Sequence, residues 1–121
     1  MAKRLLIVDD ALIMRKRIRD IAERAGWEIA GEAGNGERAV AIYHEERPDL
    51  VTLDIVMPKM DGVTALREVM QADPNARVIM VSAVDQREKL AECIDSGALD
   101  FIVKPFDVAR LQGLFEKYLT A

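Results

Sequence analysis

A single cysteine, Cys93, stands in this sequence, so no internal disulfide can form and the chain must hold together through its core. No apolar run approaches the roughly 20 residues of a membrane span or the apolar segment of a signal peptide, which excludes a membrane role and makes the cytosol the expected compartment. Positive charge is not in excess: 17 Lys and Arg face 21 Asp and Glu, a net charge of −4 that favours solubility and offers no basic field for nucleic acid. Repeats and low-complexity segments are absent as well. With no Gly/Ser/Pro tail after Leu119 to serve as a linker and a native-looking start at Met1-Ala2-Lys3, one domain over residues 1–121 is expected.

What the chain does have is a composition that is half hydrophobic, spread over 121 residues, enough to close one core. Short aliphatic runs at Leu5–Val8, Glu28–Ala30, Leu50–Leu53, Val78–Val81 and Phe101–Val103 read as strands. Between them, apolar residues recur at helical spacing: Met14, Ile18, Ile21, Ala22 and Ala25, then Ala39, Ile42 and Tyr43, then Val63, Leu66 and Val69. Leu90, Cys93 and Ile94 make a fourth stripe, and Val108, Leu111, Leu114, Phe115, Tyr118 and Leu119 a fifth. Gly26, Asn35-Gly36, Pro48-Asp49, Asp61-Gly62, Asp73-Pro74-Asn75, Ser96-Gly97 and Pro105 punctuate the element ends. The expected fold class is α/β, a (βα)5 doubly wound parallel sheet with right-handed crossovers and helices on both faces.

In such sheets ligands sit beyond the carboxyl ends of the strands, where strand order reverses. Asp9 and Asp10 follow the first strand, Asp54 ends the third, Ser82 the fourth and Lys104 the fifth, so all share one edge. Two carboxylates about 4 Å apart repel by roughly 4 kcal/mol at an effective dielectric of 20, too much to retain three acids there for structure alone. A cation is implied, and an all-oxygen ligand set with no His or Cys nearby suits Mg2+, which is commonly completed by a substrate phosphate. A phosphoryl group held there would need a cation and a hydroxyl donor for its equatorial oxygens, and Lys104 and Ser82 supply them. Asp54 stands alone at its strand end and is the expected phosphoacceptor.

The pieces "IVDD", "LDIVMPKMDG", "VSA" and "DFIVKPF", in this order and spacing, resemble the receiver domain of two-component response regulators, and most closely the stand-alone chemotaxis kind. The likeness covers nearly the whole chain. It implies the flavodoxin-like strand order 2-1-3-4-5 and transfer of a phosphoryl group to Asp54 from the phosphohistidine of a CheA-like histidine kinase. Mg2+ would be held by Asp10, Asp54 and the backbone carbonyl of Val56, with Asp9 acting largely through water. Lys104 would pair with the acyl phosphate, the Lys104-Pro105 bond would be cis, and Phe101 would be a switch aromatic that swings inward when Ser82 moves. Val56 and Val84 would flank the path of the hydrolytic water. The fourth helix, fifth strand and fifth helix, with Arg87, Lys89, Glu92, Phe101, Val108 and Gln112, form the expected responsive face for a flagellar motor switch protein or another downstream target; a phosphatase is a possible further partner, and the protein is expected to be a monomer. His44 reads as a surface residue, while Trp27 and Cys93 read as packing. Two rival readings are a receiver cut from a longer response regulator and a haloacid-dehalogenase-like phosphatase; the latter lacks its acid/base Asp, since Val56 stands at that position.

Overall fold

The computed structural model describes residues 2–120. Its elements alternate throughout: β1 (Arg4–Val8), α1 (Leu12–Arg24), β2 (Glu28–Ala33), α2 (Gly36–Glu46), β3 (Leu50–Asp54), α3 (Gly62–Ala72), β4 (Val78–Ala83), α4 (Arg87–Asp95), β5 (Asp100–Lys104) and α5 (Val108–Thr120). All pairings are parallel and the sheet order is β2-β1-β3-β4-β5, as expected. Parallel strands need crossovers long enough for a helix, and each βα unit here supplies one.

Alternation of side chains along a strand divides the core between the two faces. Leu6, Val8, Val51, Leu53, Val78 and Met80 pack with Ile42, Tyr43, Leu66, Val69 and Cys93 from α2, α3 and α4. Leu5, Ile7, Leu50, Ile79, Val81 and Ile102 pack on the other face with Ile18, Ile21, Leu111, Leu114 and Phe115 from α1 and α5. The central strands therefore read as unbroken aliphatic runs because both of their faces are covered. Burying a side chain such as Leu5 or Phe115 contributes about 1.5–3 kcal/mol. Trp27 joins the second core, its Nε1–H donating to the Phe115 carbonyl at 2.9 Å.

Two helix starts use the side chains the sequence offers for them. Asn35 accepts from the Arg38 amide at 2.8 Å and Asp61 from the Thr64 amide at 2.9 Å, each satisfying an amide left free in a first turn. Two expected core positions lie outside: Ile94 and Val108 are exposed, on the two helices that precede and follow β5, the edge strand, beyond which the sheet has no further strand among the described residues. β2 runs three residues past Ala30. As the other edge strand it carries Glu32 and Gly31, which weaken its apolar signal; a Cβ on Gly31 would come within 3.1 Å of Ile42, so the small residue lets α2 lie close. Among the described residues no helix is long and apolar enough to cross a membrane.

Candidate functional site

The carboxyl edge of the sheet is built strand by strand. Asp9 continues the β1 ladder by donating its amide to the Ala33 carbonyl at 3.0 Å, and its Oδ1 accepts from the Ala11 amide at 2.9 Å. That side chain is locked and fully buried, whereas Asp10 is exposed at the start of the turn into α1. The register Val8↔Leu53 sets Asp54 beside Asp9, and the register Ala83↔Lys104 brings Lys104 up at the end of β5. Asp9, Asp10 and Asp54 each present an oxygen within 4.8 Å of the others. Lys104 Nζ donates to Asp9 Oδ2 at 2.7 Å and lies 3.4 Å from Asp54 Oδ2.

Three carboxylates against one ammonium leave a charge of about −2, which matches a divalent ion. Burial amplifies the repulsion within the cluster. Burial, then the charge of Asp9, push the Asp54 carboxyl from 3.8 up to about 6, against the attraction of Lys104 and the Ile55 amide. Burial works against the charge of Lys104, but its hydrogen bond to Asp9 and the charges of Asp54 and Asp9 hold it above the ordinary lysine range. The cluster can thus bind a metal, and an ion there would relieve the repulsion that burial amplifies.

Ser82 follows directly after Val81, the register partner of Asp54, and is buried. Its hydroxyl, like that of Thr52, has no hydrogen-bond partner among the described residues, although buried hydroxyls ordinarily find one. From Ser82 an apolar cavity of about 340 Å3 runs past Val84, Leu90 and Val103 to Phe101, a residue that is 37% exposed. An open cavity of about 490 Å3 lies between Val56 and the 84–89 segment, with Val56 50% and Val84 70% exposed at its rim. The loop carrying Val56 is drawn tight at its end, where the Gly62 amide donates to the Ile55 carbonyl at 2.7 Å. A Cβ on Gly62 would sit 2.0 Å from the Asp54 carbonyl oxygen, so only glycine permits this close approach. The Lys104-Pro105 peptide is cis.

The edge therefore brings Asp9, Asp10, Asp54 and Lys104 into one cluster, with Ser82 on the adjoining strand end. Phe101, Val56 and Val84 stand around it rather than in it. His44 is exposed and Cys93 buried, as their sequence contexts suggested. One participant was not visible beforehand: Arg15, whose guanidinium donates to the Asp9 carbonyl at 2.7 Å. It lies in the basic run Arg15-Lys16-Arg17, which by pattern reads as a solvated helix face.

Comparison with known proteins decides the family. The Response regulator receiver domain matches residues 5–116. The chain belongs to that family. It is 53% identical over 111 residues to the chemotaxis protein CheY of Thermotoga maritima, covering 92% of each chain. To the chemotaxis protein CheY of Bacillus subtilis it is 52% identical over 119 residues, 98% of this chain and 99% of that one. A solved structure of the CheX-CheY-BeF3-Mg2+ complex from Borrelia burgdorferi superposes with a TM-score of 0.87 at 43% identity, over 92% of this receiver and 84% of that chain. This receiver is accordingly a chemotaxis-type response regulator, a phosphoacceptor switch and not an enzyme with turnover, which removes the phosphatase reading.

Proposed function

We propose that residues 1–121 act as a single receiver domain in which Asp54 takes a phosphoryl group from the phosphohistidine of a CheA-like kinase. The observation that carries this reading is the Asp9-Asp10-Asp54 cluster with Lys104 Nζ set between Asp9 and Asp54. An Asp54 oxygen attacks phosphorus, the P–N bond to the donor imidazole breaks, and an acyl phosphate results. Mg2+, bound when the site is loaded, supplies the positive charge that lets the anionic acid and the anionic phosphoryl group meet. The donor set fits it. Asp10 is exposed and free to ligate directly, together with Asp54 and the Val56 carbonyl, while both Asp9 oxygens already accept hydrogen bonds, which suits contact through water. The Borrelia burgdorferi relative crystallised with Mg2+ supports the choice of ion.

Lys104 then moves its charge from Asp54 to the acyl phosphate, and Ser82 donates its unpartnered hydroxyl to a phosphoryl oxygen. Movement of Ser82 toward the phosphoryl group draws the β4-α4 junction with it. The apolar cavity between Ser82 and Phe101 gives the exposed ring a place to go, converting a local charge event into a changed surface on α4, β5 and α5. Arg87, Lys89, Glu92, Phe101, Val108 and Gln112 present that surface to a flagellar motor switch protein. The Borrelia burgdorferi relative was solved in complex with CheX, which supports a second protein partner; for this chain that partner is a phosphatase. Val56 and Val84, both apolar, leave the hydrolytic water without a polar anchor, and the protein works as a cytoplasmic monomer.

The test is phosphorylation by acetyl phosphate followed by intact mass. One added phosphoryl group is expected with Mg2+ and none over the same interval in EDTA; equal addition in EDTA would overturn the metal-assisted reading.

A further inference from the structure

We infer that Arg15 is a positioning residue for the acidic pair, held in place by Glu32 on the neighbouring strand. The carbonyl that accepts from Arg15, at 2.7 Å, is that of Asp9. It belongs to the peptide joining Asp9 to Asp10, so the bond fixes the plane from which both carboxylates project. The turn has little else to hold it from outside. The N-cap of α1 is Ala11, which has no side chain able to cap, and the remaining restraints on Asp9 are its own Ala11 amide, the Ala33 carbonyl and Lys104.

Arg15 is itself anchored. Its Nε donates to Glu32 Oε1 at 3.1 Å, while Arg19 holds the other carboxylate oxygen through Nη2 at 2.6 Å and Nε at 2.8 Å. The register Ile7↔Glu32 places this carboxylate beside the end of β1, two residues before Asp9. Arg15 and Glu32 are both largely shielded from solvent, so the pair is less screened than a free surface bridge. The planar guanidinium spans the two acceptors at once, which a lysine ammonium on a single flexible stem does not.

The sign of the effect separates positioning from simple charge. A cation next to an acidic cluster opposes metal binding through space, so deletion of a merely neighbouring arginine would raise Mg2+ affinity. Here Glu32 offsets that charge and the bond to the Asp9 carbonyl supplies geometry, so deletion should lower it.

This inference rests on the metal-site reading above, and one experiment distinguishes their failures: isothermal titration of MgCl2 into metal-free protein, with the melting temperature of each variant recorded. Arg15→Gln should weaken Mg2+ binding about tenfold, or about 1.4 kcal/mol. Arg19→Gln, which loosens Glu32 but leaves the Asp9 carbonyl bond, should stay within about twofold of wild type whatever its melting temperature. Glu32→Gln should give a smaller loss than Arg15→Gln, and adding it to Arg15→Gln should cost nothing further, as expected for residues acting in series. Arg15→Lys should recover only part of the loss. Unchanged or tighter Mg2+ binding by Arg15→Gln, an equal loss in Arg19→Gln, or additive losses in the double variant would each overturn the inference while leaving the metal site standing. Absence of Mg2+ binding by the wild type would overturn both.

Discussion

Replacing Asp54 by asparagine should stabilise the metal-free protein, by an amount that depends on pH. Burial and the charge of Asp9 lift this carboxyl from 3.8 to about 6, so the folded protein holds a proton there that the unfolded chain has already released. A raised acid leaves stability undiminished below the lower value and removes it as pH climbs to the upper one. At about 1.4 kcal/mol per unit, the difference of roughly two units amounts to about 3 kcal/mol by pH ~7. Asparagine keeps the shape and an oxygen for the Ile55 amide, which donates to Asp54 Oδ1 at 2.9 Å. It gives up only the long 3.4 Å contact to Lys104, which retains Asp9 at 2.7 Å and whose attraction is already contained in the net shift. Urea unfolding of both proteins in excess EDTA across this range is the assay. The stabilities should coincide near pH ~4 and separate by about 3 kcal/mol near pH ~7, the variant being the more stable. Mg2+ should narrow the gap by favouring the ionised acid. A separation that does not change with pH, or a less stable variant, would refute the argument that Asp54 is held against its preferred charge.

Three further outcomes follow from the same geometry. Mg2+ at a hundredfold excess over Kd should stabilise the wild type by ~2.7 kcal/mol, and Asp10→Ala should lose most of that gain; melting temperatures with and without Mg2+ check it, and an undiminished shift would contradict direct ligation. Trp27 immediately precedes β2, at the amino edge of the sheet opposite the acids, so its fluorescence should change little on Mg2+ addition or phosphorylation. Strong quenching would show that the site reaches that edge. The double variant Val56→Asn/Val84→Glu should lose phosphate faster, by tenfold for each ~1.4 kcal/mol taken off the barrier, measured as phosphate release without kinase or phosphatase; equal or slower loss would undo the shielding argument.

Much of the architecture was legible because the central strands are buried on both faces and bracketed by turn residues. Leu5–Val8 and Leu50–Leu53 have no amphipathic alternation to confuse, and the acids that end them repel one another at a cost that marks their place as a site. The edges were harder to read. In β2, Gly31 and Glu32 interrupt the apolar run because one side of that strand has no neighbour, and the helical spacing of Ile94 and Val108 gave no sign that both lie exposed on the helices before and after the other edge strand. Within the site, the strand-end acids and Lys104 announced themselves by position. Arg15 did not, because its role depends on two partners, the Asp9 carbonyl and Glu32, that only the folded chain brings to it.

The central claim is that Asp54 is the phosphoacceptor. Intact-mass measurement of wild type and Asp54→Asn after incubation with acetyl phosphate and Mg2+ tests it most directly. Wild type should gain a single phosphoryl group that is lost again as the acyl phosphate hydrolyses, and Asp54→Asn should gain none. Full-stoichiometry addition to Asp54→Asn would contradict the assignment and move the acceptor elsewhere in the chain.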